Sequence, residues 1–185
     1  MVKKIKKGLK KKFFEVSVPL ISTKMHVYGY SPEDFNGKTI KIDMTRSLRG
    51  KGLELKVRIA SENEKLQGAL QNLNLFQSYI RRIIRKGTDY VEDSFEVESR
   101  EHILRIKPFL ITRKRVSRAI RKAIRESTRK YLEGKTKVMA TKEIFSDIIT
   151  NKIQRDIAQK VKKIYPLALC EIRQLNVVSA LKKNK

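Results

Sequence analysis

From Leu53 to Ile59 apolar and polar residues alternate without a break. Leu53, Leu55, Val57 and Ile59 point one way, and Glu54, Lys56 and Arg58 the other. A two-residue period of this kind belongs to a half-buried strand. FFEVSVPLI, KMHVYGY and KTIKIDM read as strands before it, and RGKG at 49–52 has the glycines a tight hairpin needs. A helix is predicted from about Leu73 to Lys86, with Leu73, Phe76, Ile80, Ile83 and Ile84 on its apolar side and Gly87 ending it. DSFEVES and HILRIKPFLI then read as two strands paired through a turn near Arg100.

After Thr112 the period lengthens to that of a helix. Ala119, Ala123, Val116, Ser127, Ile120, Tyr131 and Ile124 fall in one arc of about 140°, and lysines and arginines fill an opposite arc of about 120°. Thr112 suits the N-cap and Gly134 the position just past the end; Lys130 and Leu132 sit out of place. KEIFSDIITNKIQRDIAQKVKKIY repeats isoleucine and valine at helical spacing, with Asn151 a candidate break and Pro166 the stop. LALCEIRQLNVV reads as a closing strand. These elements describe an α+β fold: an antiparallel, barrel-like sheet with three to four packed helices and a basic N-terminal arm.

Charge changes the picture most. The 185 residues hold 44 Lys plus Arg against 19 Asp plus Glu, for a formal net charge of +25. A chain with 40% hydrophobic residues has material for a core, so it is more than a disordered basic tail. Its self-repulsion calls for an anionic partner, nucleic acid first and an anionic membrane surface second. Residues 1–12 read as a mobile basic arm carrying Lys3, Lys4, Lys6, Lys7, Lys10, Lys11 and Lys12, residues 13–180 as a single globular domain, and residues 181–185 as a basic tail.

The basic helix region carries Arg113, Lys114, Arg115, Arg118, Arg121, Lys122, Arg125, Arg129 and Lys130 against one acid, Glu126. A solvated helix face normally mixes signs, because like charges repel and opposite ones at i,i+4 attract. Unrelieved repulsion points to phosphate on that face. Arg81, Arg82, Arg85 and Lys86 form a second cluster, part of which serves the dipole at a helix end. All of these except Lys130, with the lysines of the arm, are candidate nucleic-acid-binding residues.

Other chemistry finds less support. No run approaches the length of a membrane span. FFEVSVPLI is interrupted by Glu15, which argues against a signal peptide, and the one cysteine, Cys170, fits a reducing cytoplasm. His26, His102 and Cys170 lack metal-ligand spacing, and no phosphate loop of the GxxxxGK[ST] type is present. Asp89, Glu92, Asp93, Glu96 and Glu98 could in principle hold a divalent metal in a nuclease, but Glu96 and Glu98 alternate with Phe95 and Val97 as an outward strand face would. Phe13, Phe14, Tyr28, Tyr30 and Tyr90 are either core residues or base-stacking platforms. A DNA-binding or chromatin protein is the main alternative, a metal-dependent nuclease the next, and a membrane-surface helix the weakest.

IQRDIAQKVKKIYPLALCEIRQLNVV, residues 153–178, resembles the C-terminal signature of the archaeal and eukaryotic small-subunit ribosomal protein family S-three-a-e, or eukaryote-type S-one. That signature is an acidic helix residue, a basic helix end, an IYPL-like stop and a basic strand. Here it falls on Asp156, Lys162, Lys163, Ile164, Tyr165, Pro166, Leu167, Glu171, Ile172 and Arg173. KKKFFEVSVP, NGKTIKIDMTRSL and AIRKAIRE resemble further family segments in the same order, so the resemblance spans about residues 10–178. Phe13 or Phe14 stands where the family has Trp, and LQNLNLFQSYIRRIIRKG lacks its threonine-arginine-aspartate element. The length matches the shorter archaeal form. The resemblance implies a structural, non-enzymatic protein of the small ribosomal subunit, cytoplasmic in the ribosome, on the platform near the messenger exit. Its partners would be ribosomal RNA and neighbouring ribosomal proteins, with messenger RNA a further candidate. Neither a cofactor nor a metal is implied.

Overall fold

A computed structural model describes residues 10–20, 25–62 and 65–180. Lys3, Lys4, Lys6 and Lys7 of the expected arm, and the basic tail at 181–185, lie outside the described residues. The fold is α+β, with nine strands and four α-helices among the described residues. The strands are β1 (Lys12–Ser17), β2 (Met25–Gly29), β3 (Thr39–Asp43), β4 (Leu53–Glu62), β5 (Lys65–Leu75), β6 (Tyr90–Glu92), β7 (Phe95–Glu98), β8 (His102–Thr112) and β9 (Leu167–Ala180). The helices are α1 (Gln77–Ile83), α2 (Arg118–Val138), α3 (Thr141–Ile149) and α4 (Lys152–Val161). Contacts group the chain into two compact units, residues 1–42 with 56–71, and residues 43–55 with 72–185.

In the first unit β1 and β2 form an antiparallel hairpin, from Lys12 opposite Gly29 to Val16 opposite Met25. β1 also runs parallel to β5, with Val16 beside Leu66 and Ser17 beside Gln67. Val16, Val18, Phe35, Val57, Ile59 and Leu66 are buried. Each such side chain contributes roughly 1.5–3 kcal/mol by leaving water. Lys12, placed by the sequence in the arm, opens β1.

The second unit is built on the β8–β9 ribbon, antiparallel from His102 opposite Ala180 to Thr112 opposite Leu167. Its pairing shifts register at Lys107/Pro108, which accommodates a proline that cannot donate to the ladder. The far end of β5 joins β9, with Leu73 opposite Leu175. The helices α2 and α4 pack on each other, α2 also on β6 and β7, α4 on β9, and α3 on α4. Ile124, Leu132, Ile144, Phe145, Ile148, Ile153, Ile157 and Val161 from the helices meet Leu104, Ile106, Leu110, Ile172 and Leu175 from the strands in its core.

Two expectations need correction. The sheet is open and mixed, where a barrel-like antiparallel sheet was expected. The β1–β5 pair is parallel, and the outer edge of β8 is split between β6 at 109–111 and β7 at 103–106. Strands of three and four residues give an outer edge too short to carry a ladder onward. The helix expected over 73–86 is the short α1, because Leu73 and Leu75 belong to β5.

Candidate nucleic-acid interface

The basic helix begins later and ends later than its sequence suggests. Ser117 is the N-cap and accepts a hydrogen bond from the Ile120 amide at 3.4 Å. Thr112 is buried at the end of β8, and Gly134 lies inside α2 with open space around it. A glycine there costs about 1 kcal/mol relative to alanine, which the packing of Leu132 and Thr136 on either side offsets. The buried line of α2 runs Ile124, Thr128, Leu132, Thr136, one residue in four. Leu132, out of place on the expected arc, is therefore on the core face, whereas Ala119 is exposed.

Arg113, Lys114 and Arg115 consequently lie in the loop ahead of α2, and that loop is tied to the one ahead of β6. The Thr112 amide donates to the Asp89 carbonyl at 2.9 Å, and the Asp89 amide donates to the Thr112 hydroxyl at 3.1 Å. That hydroxyl is shared between the carbonyl oxygens of Asp89, at 2.9 Å, and Lys114, at 2.8 Å. The Asp89 carboxylate accepts from the Val116 amide at 3.0 Å. Arg85 and Lys86 occupy the turn just before Asp89, closed by Gly87 at φ 82° and by the Thr88 hydroxyl donating to the Arg85 carbonyl at 2.7 Å. One acid thus joins two basic loops. Arg85, Lys86, Arg113, Lys114, Arg115 and Arg118 are all exposed, and none forms an ion pair among the described residues.

Electrostatics at this end of α2 favours an anion. The first turn of the helix has no acid and carries Arg118 and Arg121 instead. Cations beside the positive end of a helix dipole are unfavourable without counter-charge, and the one carboxylate there, Asp89 on the Val116 amide, is outnumbered by Arg113, Lys114, Arg115, Arg118 and Arg121. Free amides and a positive end are what bind phosphate at helix starts.

The remaining predicted cations divide. Lys122 is exposed and 3.9 Å from Glu126, a loose i,i+4 pair. Arg121 is half-buried, its Nε enclosed and without a hydrogen-bond partner among the described residues. Arg125 lines an open cleft of about 520 Å³ with Glu92, Asp93, Lys107 and Arg173. Arg129 is engaged internally: its Nε donates to Glu133 at 2.8 Å, a bond that raises its already high pKa, and its guanidinium lies 5.3 Å from the Phe95 ring centre. Arg81 and Arg82 are exposed near the end of α1, with Arg82 over the Tyr79 ring. In the first unit Lys10, Lys11 and Lys12 are exposed.

The acidic segment serves the fold. Arg105 donates to Glu96 at 2.6 Å and Arg173 to Glu92 at 2.5 Å, while Asp89 holds the loops. Among the described residues no three His, Cys, Asp or Glu side chains gather where they could hold a metal ion. His102 pairs through Nδ1 with the Thr141 hydroxyl at 2.9 Å, and burial pushes the Cys170 thiol far above its ordinary pKa. No helix among the described residues is long and apolar enough to cross a membrane.

Asp89, which the sequence offers only among five acids that could hold a metal, is the residue that organises these loops. Its partners lie 23 and 27 residues along the chain, so no local pattern marks it.

The family model described as Ribosomal S3Ae family matches residues 2–180. Among curated proteins, the small ribosomal subunit protein eS1 of Nanoarchaeum equitans is 25% identical over 175 residues, covering 89% of this chain and 87% of its own length. The protein of the same name from Desulfurococcus amylolyticus is 25% identical over 146 residues, 76% of this chain and 68% of its own. That of Methanothermobacter thermautotrophicus is 33% identical over 101 residues, 54% of this chain and 52% of its own. With a match across nearly its entire length, and a fold whose surplus cations stand clear of its core, this chain belongs to the Ribosomal S3Ae family.

Proposed function

We propose that the protein is a structural constituent of the small ribosomal subunit that binds ribosomal RNA through the two joined basic loops and the start of α2. The observation that carries this reading is the set of six exposed cations, unpaired among the described residues, that Asp89 brings together beside a helix whose first turn has no acid. The relatives named small ribosomal subunit protein eS1 supply the context. The platform near the messenger exit, in the cytoplasmic ribosome, is the location that the family resemblance implies. Neighbouring ribosomal proteins are further partners, and messenger RNA is a candidate there.

Mechanistically, each phosphate met by a lysine or arginine releases condensed counterions, so affinity falls steeply with salt. Recognition rests on backbone and shape, because side chains cannot read the deep groove of A-form RNA. Arg113, Lys114, Arg115 and Arg118 stand on pinned backbone and lose little freedom on binding. Lys3, Lys4, Lys6, Lys7, Lys10, Lys11 and Lys12 add charge from the N-terminal end. Arg129, bonded to Glu133, and Arg125, in the cleft beside Glu92 and Asp93, contribute less.

The test is binding of small-subunit ribosomal RNA by Arg113→Gln, Arg115→Gln and Arg118→Gln combined. Affinity should drop by a factor of about ten or more at moderate salt, with a shallower salt dependence and an unchanged circular dichroism spectrum. Unchanged RNA affinity in the folded triple variant would refute the reading. Equal affinity for duplex DNA of the same length would favour the DNA-binding alternative.

A further inference from the structure

The outward face of the β1–β2 hairpin is aromatic where a strand facing water is normally polar. Phe13 is 72% exposed and Tyr28 57% exposed. They are directly opposite each other in the ladder, and their ring centres lie 4.9 Å apart at 41°. Tyr30 continues the same face, and the Lys11 ammonium lies 5.6 Å from the Tyr28 ring centre and 5.3 Å from that of Tyr30. Lys10 and Lys12, next to Lys11 in the chain, are exposed as well, Lys12 on the opposite side of the strand from Phe13. The inward face of the same strands already has its apolar groups: Phe14 meets Phe35 at 6.0 Å, and Val16 is buried. The exposed pair is therefore not needed to fill the core of this unit.

We infer that Phe13 and Tyr28 form a stacking platform for unpaired bases of single-stranded RNA, with Lys11 holding phosphate alongside and Lys10 and Lys12 adding charge. An open π face accepts any base and so needs no sequence-specific contact, and neighbouring cations track the backbone. A paired helix buries its base faces and could use only the lysines. The surface therefore discriminates unpaired from paired RNA. It rests on the proposal above only in taking RNA as the partner, since the residues are separate from those of the α2 loops.

The experiment measures binding of the full chain to a labelled, unstructured RNA oligomer and to an RNA duplex of equal length. Phe13→Ala and Tyr28→Ala should each weaken oligomer binding about five-fold or more, the lower end of what loss of one stacked base costs. Duplex binding and the salt dependence should be unchanged, because no charge is removed. Phe13→Leu, which keeps apolar bulk without a π face, should lose as much as Phe13→Ala, and Tyr28→Phe should bind as the parent does. Unchanged oligomer affinity in the Phe13→Leu, Tyr28→Ala double variant would overturn the inference and leave the face to a protein partner. Tyr28→Phe as damaging as Tyr28→Ala would also overturn it, because the hydroxyl would then be the contact. The Arg113, Arg115 and Arg118 triple variant separates the two proposals. If it binds both RNAs normally while Phe13→Leu fails on the oligomer, the α2 reading falls and the stacking platform stands.

Discussion

Gly68 is a small residue in an inward position of β5 that a larger one cannot take. A Cβ built there would lie 2.5 Å from Val57 Cγ1 and 3.0 Å from Val18 Cγ2. Gly68→Ala should lower stability by about 1–3 kcal/mol, the usual range for overpacking. Thermal denaturation would show it, and an unchanged midpoint would mean that both valines turn away freely. At Lys51 the issue is charge. Its ammonium pairs with Glu171 at 2.5 Å and donates to Asn151 at 2.7 Å, and the two ionic side chains are only 10% and 7% exposed. Breaking such a pair strands a charge, so Glu171→Gln should cost about 3–5 kcal/mol in chemical denaturation. Lys51→Met combined with Glu171→Leu should recover most of that loss. The family-like string at 153–178 thus owes several of its charged residues to the fold: Asp156, Glu171 and Arg173 all bond within the chain.

Between elements, Asp156 joins α4 to α2. Its carboxylate accepts from Lys135 at 2.5 Å and from the Tyr131 hydroxyl at 2.7 Å, and these bonds lower its pKa from the ordinary 3.8. Because the folded carboxyl titrates below the unfolded one, its contribution is complete above about pH 3.8 and is lost as pH falls through the folded value. With the side chain 43% exposed, solvent limits that contribution to about 1 kcal/mol. Asp156→Asn should therefore be less stable than the parent at neutral pH and equal to it in strong acid, as parallel urea titrations at the two pH values would show. At this scale most of the fold is legible from periodicity. β4, β7, β8, the α3–α4 break at Asn151 and β9 lie where alternation or helical spacing puts them. β5 was illegible because Gly68 and a run of Gln and Asn interrupt its apolar rhythm, and its Leu73 and Leu75 mimic the start of the helix that follows. The start of α2 was misplaced because Thr112 has the chemistry of a cap, yet its hydroxyl and amide are spent on Asp89.

For the whole molecule, composition indicates that cations await an anion, and it cannot say which cations the fold consumes. Arg105, Arg129 and Arg173 find carboxylates of their own, while Arg85 and Arg115 do not among the described residues. The Arg129–Glu133 pair is a local i,i+4 contact, but Arg173 meets Glu92 81 residues away and Asp89 joins its loops across 23, beyond the reach of any local pattern. The same long reach governs how the second unit is made. β8 ends at Thr112 and its principal partner β9 starts only at Leu167, with α2, α3 and α4 in between. A chain lacking residues 167–180 should fail to give a cooperative melt. During synthesis, then, a polycationic nascent segment must wait, its longest ladder half made, until the last strand leaves the exit tunnel. For that interval its protection comes from whatever anion or chaperone reaches it first.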